Sequence, residues 1–94
     1  MVIKQTEIFA KWFAKLRDIK AKAHIAVRIR RIEKDNFFGD SKSVGDGVFE
    51  LRIDCGAGYR VYFTNDGEKV VILLCGGNKG SQKRDIERAK SLIQ

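Results

Sequence analysis

Residues 47–79 read GVFELRIDCGAGYRVYFTNDGEKVVILLCGGNK, and this stretch decides the fold. It contains three short runs of strand-forming residues, joined by two turns that contain glycine. Apolar and polar residues alternate in the first two runs, and successive side chains of a strand point to opposite faces of a sheet. The segment therefore predicts three neighbouring strands with one face turned toward the core. The predicted core-face residues are Phe49, Leu51, Ile53, Tyr59, Val61 and Phe63.

The opposite face of the same two strands is polar. Its members are Glu50, Arg52, Asp54, Arg60, Tyr62 and Thr64. If residues 55–58 form the hairpin loop, two registers preserve the alternation, and they place Arg52 opposite either Tyr62 or Arg60. Both registers bring Arg52, Arg60 and Tyr62 together, on a face that we expect to be exposed.

The third run, residues 70–75, is apolar at every position, which predicts a central strand covered on both faces. Asp66–Gly67 is a strong hairpin turn signal before it. The glycine-rich segment 76–80 carries Lys79 at the end of this strand, and Ser81 is expected to cap a last helix over residues 82–93.

The first third of the chain predicts a strand followed by a helical hairpin. Residues 2–5 suit a short strand, and Thr6 is the expected N-cap of a first helix. A break at Asp18 precedes a second helix, expected over residues 20–34. Two such helices must lay their apolar sides on something, and the core face of the sheet is the obvious surface. With a short strand over residues 41–44, the chain is expected to form one α+β domain over residues 1–94.

Composition agrees with a small folded domain and sets limits on its location. Of the 94 residues, 44% are hydrophobic and 33% are charged, which is typical of a foldable chain rather than a disordered one. No apolar run approaches the roughly 20 residues of a membrane span, and the N-terminus lacks a signal-peptide pattern. A cytoplasmic protein with no membrane association is therefore expected.

The net charge of +7 is unevenly distributed. Residues 1–36 carry 10 basic and 4 acidic side chains, whereas residues 37–94 carry 9 basic and 8 acidic ones. A small basic chain suggests a polyanionic partner or an acidic protein partner. A solvated helical surface would account for the same excess.

The cysteines and the histidine argue against a metal centre. Cys55 and Cys75 do not form a CxxC pair, and His24 is the single histidine. A zinc site needs about four such ligands, so neither a metal nor another cofactor is expected. Both cysteines are predicted to be small buried residues without a disulfide.

The chain has no Ser/His/Asp constellation, P-loop or dinucleotide motif. What remains is an arginine–tyrosine face with a lysine-bearing loop at its edge, which suits phosphates and bases. The RNA chemistry that needs no metal is attack of a ribose 2′-hydroxyl on its own 3′ phosphate. An ordinary solvated sheet face with cross-strand pairs is the alternative interpretation.

The candidate residues for that chemistry fall into three groups. Charge stabilisation is assigned to the cations Arg52, Arg60 and Lys79. Proton transfer is assigned to Glu50, Tyr62 or Asp85. Further RNA contacts are assigned to Lys42, Gln82 and Lys83.

Four motifs carry a resemblance to a known family. ELRI at 50–53, GYRVYF at 58–63, LLCGGNK at 73–79 and the spaced pattern Q-x-x-D-I-x-R-A at 82–89 resemble the RelE/ParE superfamily of bacterial toxins. The nearest branch is HigB-like, often called addiction-module killer proteins, and the resemblance covers nearly the whole chain. It implies a small antiparallel or mixed sheet, an N-terminal helical hairpin on one face, a C-terminal helix, and an active concave face opposite the hairpin.

The resemblance also implies a function and partners. RelE-like members cut mRNA on the ribosome without a metal, and their cations match Arg52, Arg60 and Lys79. Glu50 stands where RelE has a lysine, and the terminal tyrosine of RelE has no clear match. A type II toxin that is a ribosome-dependent endoribonuclease is expected, with a cognate antitoxin that carries a helix-turn-helix DNA-binding domain. The alternatives are a ParE-like gyrase inhibitor without catalysis, or an inactive member that only binds a partner.

Overall fold

A computed structural model describes residues 1–93, which form a five-stranded mixed sheet with helices on both faces. The strand order is β1-β5-β4-β3-β2, with β1 parallel to β5 and the other neighbours antiparallel. In chain order the elements are β1 (Val2–Gln5), α1 (Glu7–Lys15), α2 (Ile19–Asp35), β2 (Ser41–Gly45), β3 (Val48–Ile53), β4 (Tyr59–Asp66), β5 (Val70–Asn78), a 3₁₀ turn (Lys79–Ser81) and α3 (Gln82–Ser91). The predicted α+β architecture is confirmed.

Local side-chain chemistry starts and ends the two N-terminal helices. The Thr6 hydroxyl accepts a hydrogen bond from the backbone N–H of Phe9 at 3.0 Å, which confirms Thr6 as the N-cap of α1. Asp18 caps α2 in the same way, accepting from the N–H of Ala21 at 3.1 Å. Helix α2 ends at Asn36, whose left-handed φ of 55° stops the helix. Capping side chains thus set where both helices begin, and Asn36 sets where α2 ends.

Helices α1 and α2 pack on one face of the sheet. Phe9, Ile25 and Ile32 are buried there against the strands. The predicted core-face residues all belong to this cluster, four of them fully buried and two partly buried. The alternation of β3 and β4 therefore predicted this face correctly.

Helix α3 covers part of the other face, so the expectation of an exposed polar face is wrong for three of its six residues. Glu50 and Tyr62 are 0% exposed and Arg60 is 6% exposed. Ala89 of α3 packs with Tyr62 in a second apolar cluster. A short amphipathic helix has its own apolar side to bury, and this sheet face is where α3 buries it.

Strand β5 is longer than predicted and contains a bulge. Tyr62 pairs with Cys75 but Phe63 pairs with Leu73, which leaves Leu74 as an extra residue. The bulge shifts the alternation, so that Gly77 lies opposite Arg60 on the α3 face. Strand β5 is covered on both faces as predicted, although the middle strand of the sheet is β4.

The C-terminal helix starts at the predicted residue, Gln82, but it lacks the predicted cap and ends at Ser91 rather than residue 93. Ser81 makes no side-chain capping bond to α3, and Asn78 instead caps the 3₁₀ turn by accepting from the N–H groups of Gly80 and Ser81. Within residues 1–93, no helix is long and apolar enough to cross a membrane. Cys75 is buried as expected, whereas Cys55 is only half-buried, and both thiols are free.

Candidate functional site: a cationic pocket beside a buried carboxylate

The β3–β4 register places the two strand arginines side by side. Arg52 lies opposite Arg60, and Glu50 lies opposite Tyr62, which is one of the two registers that the sequence allowed. The Arg52 side chain is 43% exposed, and its Nε and Nη2 donate to Oδ1 of Asp40 at 3.1 and 3.0 Å. This hydrogen bond raises the pKa of Arg52. The Arg52 guanidinium is thus paired with Asp40, in the loop before β2.

Arg60 and Lys79 line one polar pocket, whose volume is about 310 Å³. The rest of its wall is the β3–β4 loop, residues 54–58. Gly58 has a φ of +78°, and a β-carbon there would lie 3.6 Å from Cβ of Lys79 and 3.8 Å from Nη1 of Arg60. The Gly58 carbonyl also accepts from the N–H of Lys79 at 2.7 Å. The positive φ, rather than a lack of space, is what favours glycine at this turn, where the loop lies against both cations.

Tyr59 and Glu50 hold the Arg60 guanidinium on the side away from the pocket. Its Nη1 donates to the carbonyl of Tyr59 at 3.0 Å, and its Nε lies 3.9 Å from Oε1 of Glu50. Neither Nε of Arg60 nor Oε1 of Glu50 has a hydrogen-bond partner among the described residues. Arg60 therefore reaches the pocket from a nearly buried position.

Glu50 is the centre of a buried polar cluster that includes Tyr62 and Gln82. Its Oε2 accepts from the Tyr62 hydroxyl at 3.1 Å and from Nε2 of Gln82 at 2.6 Å. Burial, and then the charge of Glu50, raises the pKa of Tyr62 far above its usual value. The phenol therefore stays protonated and donates to Glu50, which argues against Tyr62 as a proton acceptor.

Asp85 lies behind the pocket, at the contact between α3 and β5. It is 5% exposed, accepts a hydrogen bond from the Ser81 hydroxyl, and sits directly over Gly77. Its backbone carbonyl accepts from the Cys75 thiol at 3.6 Å. These contacts fasten α3 to the sheet.

The remaining sequence candidates lie apart from the pocket. Lys42 pairs with Glu50 across β2 and β3 and is exposed. Lys83 is exposed on the outer side of α3. The structure thus brings Arg60 and Lys79 together in one pocket, groups Glu50 with Tyr62 and Gln82 behind it, and leaves the others outside it.

Sequence reasoning missed one pocket residue, Asp54. This exposed carboxylate follows β3 directly and lines the pocket together with Arg60 and Lys79. Its position on the polar face and beside the glycine loop was the available signal. Among residues 1–93, no group of three or more His, Cys, Asp or Glu side chains is arranged to hold a metal ion.

Two sequence comparisons place the chain in a family. Residues 11–94 match the family described as "Phage derived protein Gp49-like (DUF891)". An uncharacterized protein of Haemophilus influenzae is 55% identical over 92 residues, which cover 98% of this chain and 92% of that protein. Both matches span most of the domain.

Solved structures with the same fold are RelE toxins. A mutant of E. coli RelE in the free state matches with a TM-score of 0.73 and 17% identity, over 97% of this chain and 96% of that one. RelE in the RelB–RelE complex of Methanococcus jannaschii matches with a TM-score of 0.70 and 15% identity, over 87% and 96%. The intact E. coli RelBE complex matches with a TM-score of 0.67 and 18% identity, over 82% of this chain and 94% of that one.

These structures confirm the predicted resemblance to the RelE/ParE superfamily at the level of the fold. The assignment to the HigB-like branch stays a prediction. The chain belongs to the phage-derived Gp49-like family, and its fold is that of the RelE toxins.

Proposed function

We propose that this protein is the toxin of a type II toxin–antitoxin system and that it cleaves mRNA on the ribosome without a metal ion. The observation that carries the proposal is the pocket in which Arg60, Lys79 and Asp54 meet. Two cations and a carboxylate around one small polar pocket are the groups that phosphodiester cleavage by a ribose hydroxyl requires. The RelE neighbours crystallised with RelB support a toxin that has an antitoxin partner.

The two cations in the pocket suit a phosphate for different reasons. Arg60 offers a planar guanidinium that is already immobilised by Tyr59 and Glu50, so little side-chain entropy is lost when it binds. Lys79 offers a compact charge from the first position of a 3₁₀ turn that Asn78 caps. A phosphate between them would be bound by one fixed and one flexible donor.

The cleavage reaction can be written with these residues alone. The carboxylate of Asp54 accepts the proton of the 2′-hydroxyl, whose oxygen then bonds to phosphorus. Arg60 and Lys79 neutralise the charge that builds on the phosphate oxygens. As the P–O5′ bond breaks, the Lys79 ammonium gives a proton to the leaving oxygen, because a guanidinium does not release its proton. The products are a 2′,3′-cyclic phosphate and a 5′-hydroxyl.

Primer extension on a translated message tests this function. The wild-type protein should produce cuts in mRNA that depend on the ribosome, and Arg60→Ala should reduce them by about 10²-fold or more. Lys69→Ala is the matched control, because it removes an exposed cation of the β4–β5 turn, outside the pocket. Cuts of equal strength with Arg60→Ala, or an intact message in the presence of the wild type, would contradict the proposal.

One observation favours a second function, inhibition of DNA gyrase by binding alone. Glu50 and Tyr62, the strand residues first assigned to proton transfer, are buried behind α3. If Asp54 takes no part in catalysis, the pocket becomes a cationic docking surface. An intact message together with a DNA-damage response after induction would identify this function.

The proposed partners follow from the function and the charge. They are mRNA on the ribosome, and a cognate antitoxin encoded beside the toxin that carries a helix-turn-helix domain. An acidic segment of that antitoxin would complement the positive charge of residues 1–36 or of the pocket.

A further inference from the structure

The sheet contains a carboxylate that the proposed chemistry does not use. Glu50 is 0% exposed, in the middle of β3, and it does not line the pocket. An ionised group buried in this way is costly unless charge and hydrogen bonds compensate it. The groups around Glu50 therefore indicate which charges and hydrogen bonds stabilise it.

The two oxygens of Glu50 have different neighbours. Oε2 accepts from Tyr62 on β4 and from Gln82, the first residue of α3. Oε1 lies 3.9 Å from Nε of Arg60 and accepts no hydrogen bond among the described residues. Gln82 follows the 3₁₀ turn that begins at Lys79. The Glu50 carboxylate thus interacts directly with Arg60. Through its hydrogen bond to Gln82 it also holds the segment that begins at Lys79.

We propose that Glu50 is a positioning residue: its buried carboxylate holds the Arg60 guanidinium at the pocket wall and anchors, through Gln82, the segment that carries Lys79. The function of the pocket is the one proposed above, and this inference deepens it. Glu50 does not act as the general base, because Oε2 already takes two donors and Oε1 faces Arg60 rather than the pocket.

Arg60 is bound to Tyr59 by a hydrogen bond from Nη1, but its interaction with Glu50 is one of charge rather than hydrogen bonding. Nε of Arg60 and Oε1 of Glu50 each lack a hydrogen bond among the described residues, and the two side chains are 8% and 0% exposed. Removal of the carboxylate would leave the Arg60 charge buried without its partner. The guanidinium would then turn out of its site toward solvent, and the pocket would lose its fixed donor.

An NMR measurement tests the positioning role without any RNA. In the wild type, the Nε–Hε bond of Arg60 should have an order parameter of about 0.8, close to that of rigid backbone. In Glu50→Gln it should fall below about 0.6. Tyr62→Phe is the matched control, because it removes one donor to Glu50 and leaves the charge, and it should keep Arg60 rigid. A mobile Arg60 in the wild type, or a rigid one in Glu50→Gln, would overturn the inference.

A shorter side chain supplies a second variant. Glu50→Asp keeps the charge but withdraws it from Arg60 by one methylene group, so the order parameter should also fall. This variant decides the question if Glu50→Gln does not fold. An Arg60 that stays rigid in Glu50→Asp would contradict a positioning role that depends on distance.

Binding of a single-stranded DNA analogue, which has no 2′-hydroxyl and is not cleaved, tests the consequence. Glu50→Gln removes one negative charge from a protein of net charge +7, so on charge alone it should bind the strand more tightly. We expect weaker binding instead, by about tenfold, which corresponds to one fixed phosphate contact. In an Arg60→Ala background, Glu50→Gln should cause no further weakening, because the donor that Glu50 positions is already absent.

The outcomes separate the two proposals. Tighter binding by Glu50→Gln, or an additive loss in the Arg60→Ala background, would overturn the positioning role. If the wild type binds no strand and cleaves no message, the proposed function fails, whereas the mobility of Arg60 still decides whether Glu50 positions it.

Discussion

Asp85 of α3 lies directly over Gly77 of β5, with its carboxylate oxygen in the space that a β-carbon at position 77 would occupy. The Ser81 hydroxyl, which donates to Asp85, is also in contact with that space, 2.8 Å from the position of such a carbon. Gly77 is opposite Arg60 in the sheet, so the contact lies next to the pocket. The absence of a side chain at one strand position therefore sets how closely α3 approaches the site.

Gly77→Ala should destabilise the protein by about 3 kcal/mol, because the new methyl group must displace a buried carboxylate. Gly80→Ala is the matched control, since the nearest atom to its new carbon is Oδ1 of Asn78 at 3.2 Å, at the end of a side chain. It should cost about 1 kcal/mol or less. Urea unfolding measures both. Equal and small losses of unfolding free energy in the two variants would show that α3 can shift over β5 at little cost.

The sequence was sufficient to predict most of the fold. Alternation in β3 and β4 identified the core face, and the Thr6 cap and the helical periodicities identified the hairpin that covers it. The register was left open, because both pairings satisfy alternation. The structure settles it by pairing Ile53 with Tyr59 as the last pair of the hairpin, which leaves Asp54 beyond the end of β3.

The burial of the polar face was not predictable from local pattern. Alternation places Glu50 and Tyr62 on one face but does not say what covers that face. The cover depends on the bulge at Leu74, which turns Gly77 toward α3, and on a glycine small enough for Asp85 to fit. Both are relationships between distant parts of the chain.

Stability should fall at alkaline pH because two buried acids lose protons more easily when unfolded. Burial raises the pKa of the Cys75 thiol from 9.0 to about 11, and the pKa of Tyr62 also rises above 10.0. Above pH 9 the folded state therefore holds more protons than the unfolded state, so the free energy of unfolding decreases as pH rises. Each group contributes about 1.4 kcal/mol per pH unit in its own range.

Urea unfolding between pH 7 and pH 10.5 measures this dependence. Cys75→Ala should reduce the slope above pH 9, whereas Cys55→Ala, at the half-buried thiol, should preserve it. An unchanged slope in Cys75→Ala would show that the thiol titrates alike in both states.

The two thiols should differ in reactivity. Cys55 is half-buried and lines the pocket, whereas Cys75 is 1% exposed with a raised pKa. Iodoacetamide at pH 8 should therefore modify Cys55 and spare Cys75, as peptide mass mapping would show. The added group would occupy the pocket and weaken binding of single-stranded nucleic acid by about tenfold. Cys55→Ser should resist the reagent, and unaltered binding by the modified protein would place the nucleic acid elsewhere.

Antitoxin binding should depend on charge at one of two surfaces. Arg30 and Arg31 are exposed on α2, Lys79 is exposed at the pocket, and Lys83 is exposed on the outer side of α3. Replacing either pair by glutamate reverses the local field that would attract an acidic segment. We expect one double variant to weaken binding to the co-expressed product of the adjacent gene by at least about tenfold, measured by calorimetry. Full affinity in both variants would exclude both surfaces.

Asp54→Asn should separate catalysis from binding at the pocket. The amide keeps the shape of the side chain but accepts a proton poorly, so cleavage of the message should slow by about 10²–10⁴-fold. The affinity for the uncleavable strand should stay the same or increase, because a negative charge beside Arg60 and Lys79 is removed. Asp40→Asn is the control, since Asp40 is an exposed carboxylate that pairs with Arg52 outside the pocket. Cleavage that survives in Asp54→Asn would assign the proton acceptor to another group, and a parallel loss of binding would assign Asp54 to shaping the loop.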